Sequence, residues 1–70
     1  MTAMENDWVS ALSTGKLYLA EMARELLSEH GIESIIINRM DSVLLVGDVE
    51  VYVNSKSLVK AKYLLKDFED

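Results

Sequence analysis

The chain contains no cysteine and no proline, one histidine and three glycines. Without cysteine, disulfides and thiolate zinc sites are excluded. With His30 as the one imidazole, a histidine-rich metal site is excluded too, and no metal or cofactor is expected. The glycines are scattered at positions 15, 31 and 47, so no glycine-rich loop is present to cradle a phosphate. No apolar run exceeds the four residues Val43–Val46, far short of the roughly 20 needed to span a bilayer. The first residues carry Glu5 and Asp7 and no basic side chain, so a secretory signal is not expected and the cytoplasm is the expected compartment. Positive charge is scarce as well: 7 Lys and Arg against 12 Asp and Glu leave a net charge of −5. That balance argues against nucleic acid as a partner, because phosphate neutralisation supplies most of such affinity.

What remains is half hydrophobic and 70 residues long, the size of one small domain, with an ordered core expected over about 8–68. A core of this size supplies only about 3–5 kcal/mol. With disulfides and metals excluded, oligomerisation is the staple left, and a homodimer is favoured.

Trp8 to Ser13 reads as a first strand. Thr14 is a candidate N-cap for the helix that follows, and Gly15 gives the chain freedom to turn. From Lys16 to His30, Leu19, Met22, Ala23, Leu26 and Leu27 recur at helical spacing and form one apolar stripe. Gly31 suits the left-handed position after the helix, and Ile32 is placed to fold back on Leu27. Ile32 to Asn38 is β-branched and reads as a second strand. Val49 to Val53 alternates cleanly, with Val49, Val51 and Val53 on one face and Glu50 and Tyr52 on the other. Gly47-Asp48 is a turn signal, and Val43–Val46 is either a short strand or a packed loop. Asn54-Ser55 offers a cap for a last helix, whose buried stripe would be Leu58, Ala61, Leu64, Leu65 and Phe68.

Two amphipathic helices need one sheet face to cover. The expected fold is therefore α+β: a ferredoxin-like β-α-β-β-α two-layer sandwich lacking its final strand, with both helices on one face of an antiparallel or mixed sheet. The first strand is then an exposed edge, which invites pairing. The run Ile35, Ile36, Ile37 puts apolar groups on both faces of the sheet, and a sheet apolar on both faces is buried on both.

The residues give catalysis little support. One histidine at a helix end cannot serve seven scattered serines, and Glu21, Glu25 and Glu29 form a surface helical row, so the chain is not expected to be an enzyme. The polar run Asn38-Arg39-Met40-Asp41-Ser42 leaves a strand end with a donor, a cation and an acceptor close together, in the kind of place where small-molecule sites gather. The candidate ligand-binding residues are Asn38, Asp41 and Ser42, joined by Glu50 and Tyr52 on the open sheet face. The expected function is a regulatory or signal-transducing binding module for a small polar ligand. The alternative is a protein-interaction adaptor that uses the open face or the last helix, where Lys56, Lys60, Lys62 and Lys66 occur without an acid between them.

The order of motifs is a strand ending S-T-G, then L-Y-x-A-E-x-A-x-x-L-L-x-x-x-G-I-E, I-I-N-x-x-D-S and G-x-V-E-V-Y-V, closed by an amphipathic helix. This order resembles the family of putative prokaryotic signal-transducing proteins, small bacterial domains, over roughly residues 8–68. The motif residues are Gly15, Leu17, Ala20, Glu21, Leu26, Gly31, Ile32, Asn38, Asp41, Ser42, Gly47, Glu50, Tyr52 and Val53. The resemblance implies a ferredoxin-like fold related to PII-type signalling proteins, and a regulatory role.

Overall fold

The computed structural model describes residues 7–39, 41, 43 and 47–68. Strand β1 runs Trp8–Thr14, helix α1 Leu17–Glu29, strand β2 Ser34–Asn38, strand β3 Val49–Asn54 and helix α2 Leu58–Leu64. Short 3₁₀ turns, Ser55–Ser57 and Lys66–Phe68, flank α2. The strands form one sheet in the order β1-β3-β2, antiparallel throughout.

Strand β3 is central because it is the most apolar on one face and can be buried there completely. Val49, Val51 and Val53 have no exposed surface. They join one cluster with Ala11, Leu12 and Ile32, with Ala20, Ala23 and Leu27 of α1, and with Ala61 and Leu65. Both helices therefore cover the face that carries the three valines. Helix α1 touches all three strands, and α2 touches β1 and β3.

Strand β1 changes phase part-way. Val9 pairs with Val53 and Ser10 with Tyr52, but Leu12 pairs with Val51. Ala11 is the extra residue of a β-bulge, and it is buried beside Leu12. A bulge of this kind lets two successive side chains face the core where strict alternation would turn one outward.

The strand is one residue longer than the pattern predicts. Thr14 ends it, buried opposite Val49, so it does not occupy the cap position of α1. That position belongs to Lys16, which makes no side-chain cap. The Thr14 hydroxyl instead accepts the Lys16 backbone N–H at 3.2 Å, holding the turn just before the helix.

The buried stripe of α1 is Ala20, Ala23 and Leu27, with Leu19 and Leu26 half-buried. Met22, expected in the stripe, is 51% exposed. The helix is rotated so that its two small alanines meet the sheet. Its end follows the expected motif: Gly31 holds φ at +75°, its N–H donates to the Ser28 carbonyl at 3.0 Å, and the Ile32 N–H donates to the Leu27 carbonyl at 2.9 Å. Because Ile32 completes this cap, the second strand begins at Ser34. The Asn54 side chain accepts the Lys56 N–H at 3.2 Å, so the last helical segment starts on the expected cap. Of the loop between β2 and β3, Val43 is an exposed turn residue, and 44–46 and Ser42 lie outside the described residues.

Candidate functional site

Strand register decides which polar groups can meet. Ile35 lies opposite Tyr52 and Ile37 opposite Glu50, all on the face turned away from both helices. Ser10 and Ser13 of β1 complete the same rows on the other side of β3. Arg39 follows β2 in the same phase as Ile35 and Ile37, so its side chain emerges on this open face. Its backbone N–H donates to the Asp48 carbonyl at 2.9 Å, which fixes the stem of the β2–β3 connection. Its Nη2 then donates to the Tyr52 hydroxyl at 3.2 Å.

Tyr52 is therefore held from two sides. The Glu50 carboxylate, two residues along the same strand, hydrogen-bonds the phenol and pushes its pKa above the ordinary tyrosine value. Partial burial and the negative charge of Glu50 act in the same direction, while the Arg39 cation opposes them. The result is a neutral phenol between a cation and an anion on a half-buried sheet surface.

The five residues proposed from the sequence do not form one group. Glu50 and Tyr52 come together. Asn38 pairs with Val49 and so projects toward the helix side. The Asp41 carboxylate accepts the Val43 N–H at 2.8 Å, which is a turn-forming contact. Ser42 is outside the described residues. Arg39, part of the same polar run, was not among those candidates. A two-residue count from Ile35 through Ile37 puts it on the same face as Tyr52, although the register sets it opposite Asp48 and only its long side chain reaches the phenol.

A second, shallower feature lies between α1 and the start of β2: a groove of about 220 Å³ lined by Arg24, Ser28, Ile32, Glu33 and Ser34. The Ser34 hydroxyl is buried there without a hydrogen-bond partner. Among the described residues, no three of His, Cys, Asp and Glu are grouped so as to hold a metal ion, and no helix is long and apolar enough to cross a membrane.

The family model described as putative prokaryotic signal transducing protein matches residues 8–69. The chain belongs to this family. The match starts at the first residue of β1 and spans every described element, Arg39, Glu50 and Tyr52 included. Comparison with curated proteins and with solved structures gave no significant match.

Proposed function

We propose that this chain is a non-catalytic binding module of a signalling system and that its open sheet face senses a small polar ligand. The observation that carries the reading is the Arg39–Tyr52–Glu50 group, with the guanidinium 3.2 Å from the phenol oxygen and the carboxylate bonded to the same phenol. Arginine presents a planar fork that matches carboxylate or phosphate oxygens. Glu50 accepts from an amine or hydroxyl, and the Tyr52 ring offers a flat surface beside Ile35 and Ile37. A ligand with an anionic end and a donor end fits that set. The strand order β1-β3-β2 with two helices on one face supports a ferredoxin-like β-α-β-β-α fold lacking its last strand, and with it the relation to PII-type regulators.

The test is a thermal-shift screen of the whole chain against amino acids, organic acids, nucleotides and divalent ions. A ligand at about a hundred times its Kd adds roughly 2.7 kcal/mol, which in a domain this small raises Tm by about ten degrees or more. A hit that disappears in Arg39→Ala supports the site. A hit that survives both Arg39→Ala and Glu50→Gln sinks it.

A second reading, a protein-contact surface, is favoured by one feature of the same face. Ile35 is 43% exposed, next to half-buried Ile37, Tyr52 and Trp8. Aromatic residues and arginine are the side chains most enriched at interface hot spots. Here the occupant would be a second copy of the chain.

A further inference from the structure

The β1 edge and the lysines of α2 belong to neither of these readings. In the order β1-β3-β2, no described strand lies on the outer side of β1. Edge strands are normally guarded by charge, proline, shortness or a bulge. Strand β1 is seven residues long, reads W-V-S-A-L-S-T, and has neither charge nor proline. Its one guard is the bulge at Ala11. The opposite edge, β2, is shorter, at five residues; both edges have a charge just outside them, Asp7 and Lys16 about β1 and Glu33 and Arg39 about β2.

Both helices pack on β1, but α1 reaches across to β2 while α2 keeps to β1 and β3 and so lies toward the β1 side of the sheet. Between Ser55 and Lys66 the chain carries Lys56, Lys60, Lys62 and Lys66 and no acid, which is four of its seven basic residues. All four are exposed, as is Lys16 just beyond the far end of β1. In a chain of net charge −5, positive charge is thus concentrated on α2 (Lys60 and Lys62) and its two flanking turns (Lys56 and Lys66), on the β1 side of the sheet.

We propose that the β1 edge, flanked by the α2 lysines, docks an extended acidic segment of a partner protein as a fourth strand. Backbone hydrogen bonds to the free edge would supply a polypeptide-specific contact, as in other cases of strand addition. The lysine row would select acidic side chains and speed their approach. A second copy of this chain is a poorer occupant. A two-fold axis at the β1 edge would set one α2 beside the other and oppose the two lysine rows. The surface is separate from the Arg39–Tyr52–Glu50 face, and neither reading rests on the other.

The experiment is selection of short random peptides, displayed on phage, against the immobilised whole chain. Recovered peptides are then titrated by the fluorescence of Trp8, the one tryptophan, which sits at the start of β1. Amide hydrogen exchange locates the bound peptide. The expected binders alternate Asp or Glu with β-branched residues and slow exchange along β1. Lys60→Glu combined with Lys62→Glu changes two exposed side chains, leaves the circular dichroism spectrum unchanged and weakens binding about tenfold or more. Four outcomes overturn the proposal. These are recovery of no peptide, an affinity unchanged by the charge reversal, slowed exchange confined to β2 or the open face, and β1 protection that grows with the concentration of the chain alone.

Discussion

Gly31 holds φ at +75°, and a Cβ built there meets nothing within 4 Å. Any cost of Gly31→Ala is therefore backbone strain alone, about 1–2 kcal/mol for a left-handed residue with a side chain. Gly15 also has open space around it, but its φ lies outside the positive range, so the turn does not require glycine there. Gly15→Ala is expected to be neutral or to stabilise by about 0.4–1 kcal/mol through the unfolded chain. Urea melts of the two variants should move in opposite directions, and equal shifts would contradict the capping account. Tyr52 gives a second test at this scale. Its pKa is raised chiefly by the bond to Glu50, so the folded state favours the neutral phenol. The stability this contributes is complete below the tyrosine pKa of the unfolded chain and is lost as pH climbs through the higher folded value. A phenolate absorbance titration in a Tyr18→Phe, Tyr63→Phe background should show Tyr52 ionising above free tyrosine. Glu50→Gln should bring that midpoint down and Arg39→Ala should push it up, and a midpoint indifferent to both would break the triad.

At the scale of elements, alanine sets the spacing between layers. Ala20, Ala23 and Ala61 have no exposed surface and sit where the helices meet the valines of β3. A longer side chain there would have to lift its helix off the sheet. Ala23→Leu is therefore expected to destabilise by about 1–3 kcal/mol despite its greater hydrophobicity, measured as a lowered denaturant midpoint. An unchanged midpoint would mean that the layers are loosely packed. The same alanines mark how far pattern reading reaches. The alternation of Val49, Glu50, Val51, Tyr52 and Val53 set the central strand and its two faces, because burial on one side of a pleat leaves a period of two. Gly31 and Ile32 set the end of α1, because so few residues accept a left-handed backbone. The phase of α1 was harder to read, since Met22 is more hydrophobic than Ala20 but too large for the closest approach to the sheet. The bulge at Ala11 left no local signal: it follows from the pairing of β1 with β3, which no stretch of β1 reveals. The candidate site split for a related reason. Proximity in sequence grouped Asn38 with Asp41, whereas register turned Asn38 to the helix side opposite Val49 and left Arg39 on the open face, where its side chain reaches Tyr52.

For the molecule as a whole, a sheet face that no described element covers competes with a net charge of −5. Three strands about 4.8 Å apart and strands of five to seven residues make that face about 14 Å wide and about 20 Å long. That flat footprint of about 300 Å² is small beside the roughly 800 Å² of accessible surface that each partner buries in a stable interface, even though side-chain relief makes the accessible area larger than the footprint. If a second copy covers the face, the dimer is therefore weak, forming at high micromolar concentration rather than nanomolar. Its attraction is apolar, through Ile35, Ile37, Trp8 and Tyr52, and its long-range term is repulsion between like-charged copies. Salt screens that repulsion and leaves apolar burial largely intact. Sedimentation equilibrium is thus expected to show a mass rising from 7.9 kDa toward twice that value with concentration, and rising further with added salt. Ile35→Glu, which puts a carboxylate in place of the face's most exposed isoleucine, should hold the chain monomeric without altering its circular dichroism. Lys60→Glu with Lys62→Glu, on the other layer, should leave the association in place. A chain that stays monomeric at high micromolar concentration in both low and high salt would remove the second copy as the occupant and leave the open face to the ligand.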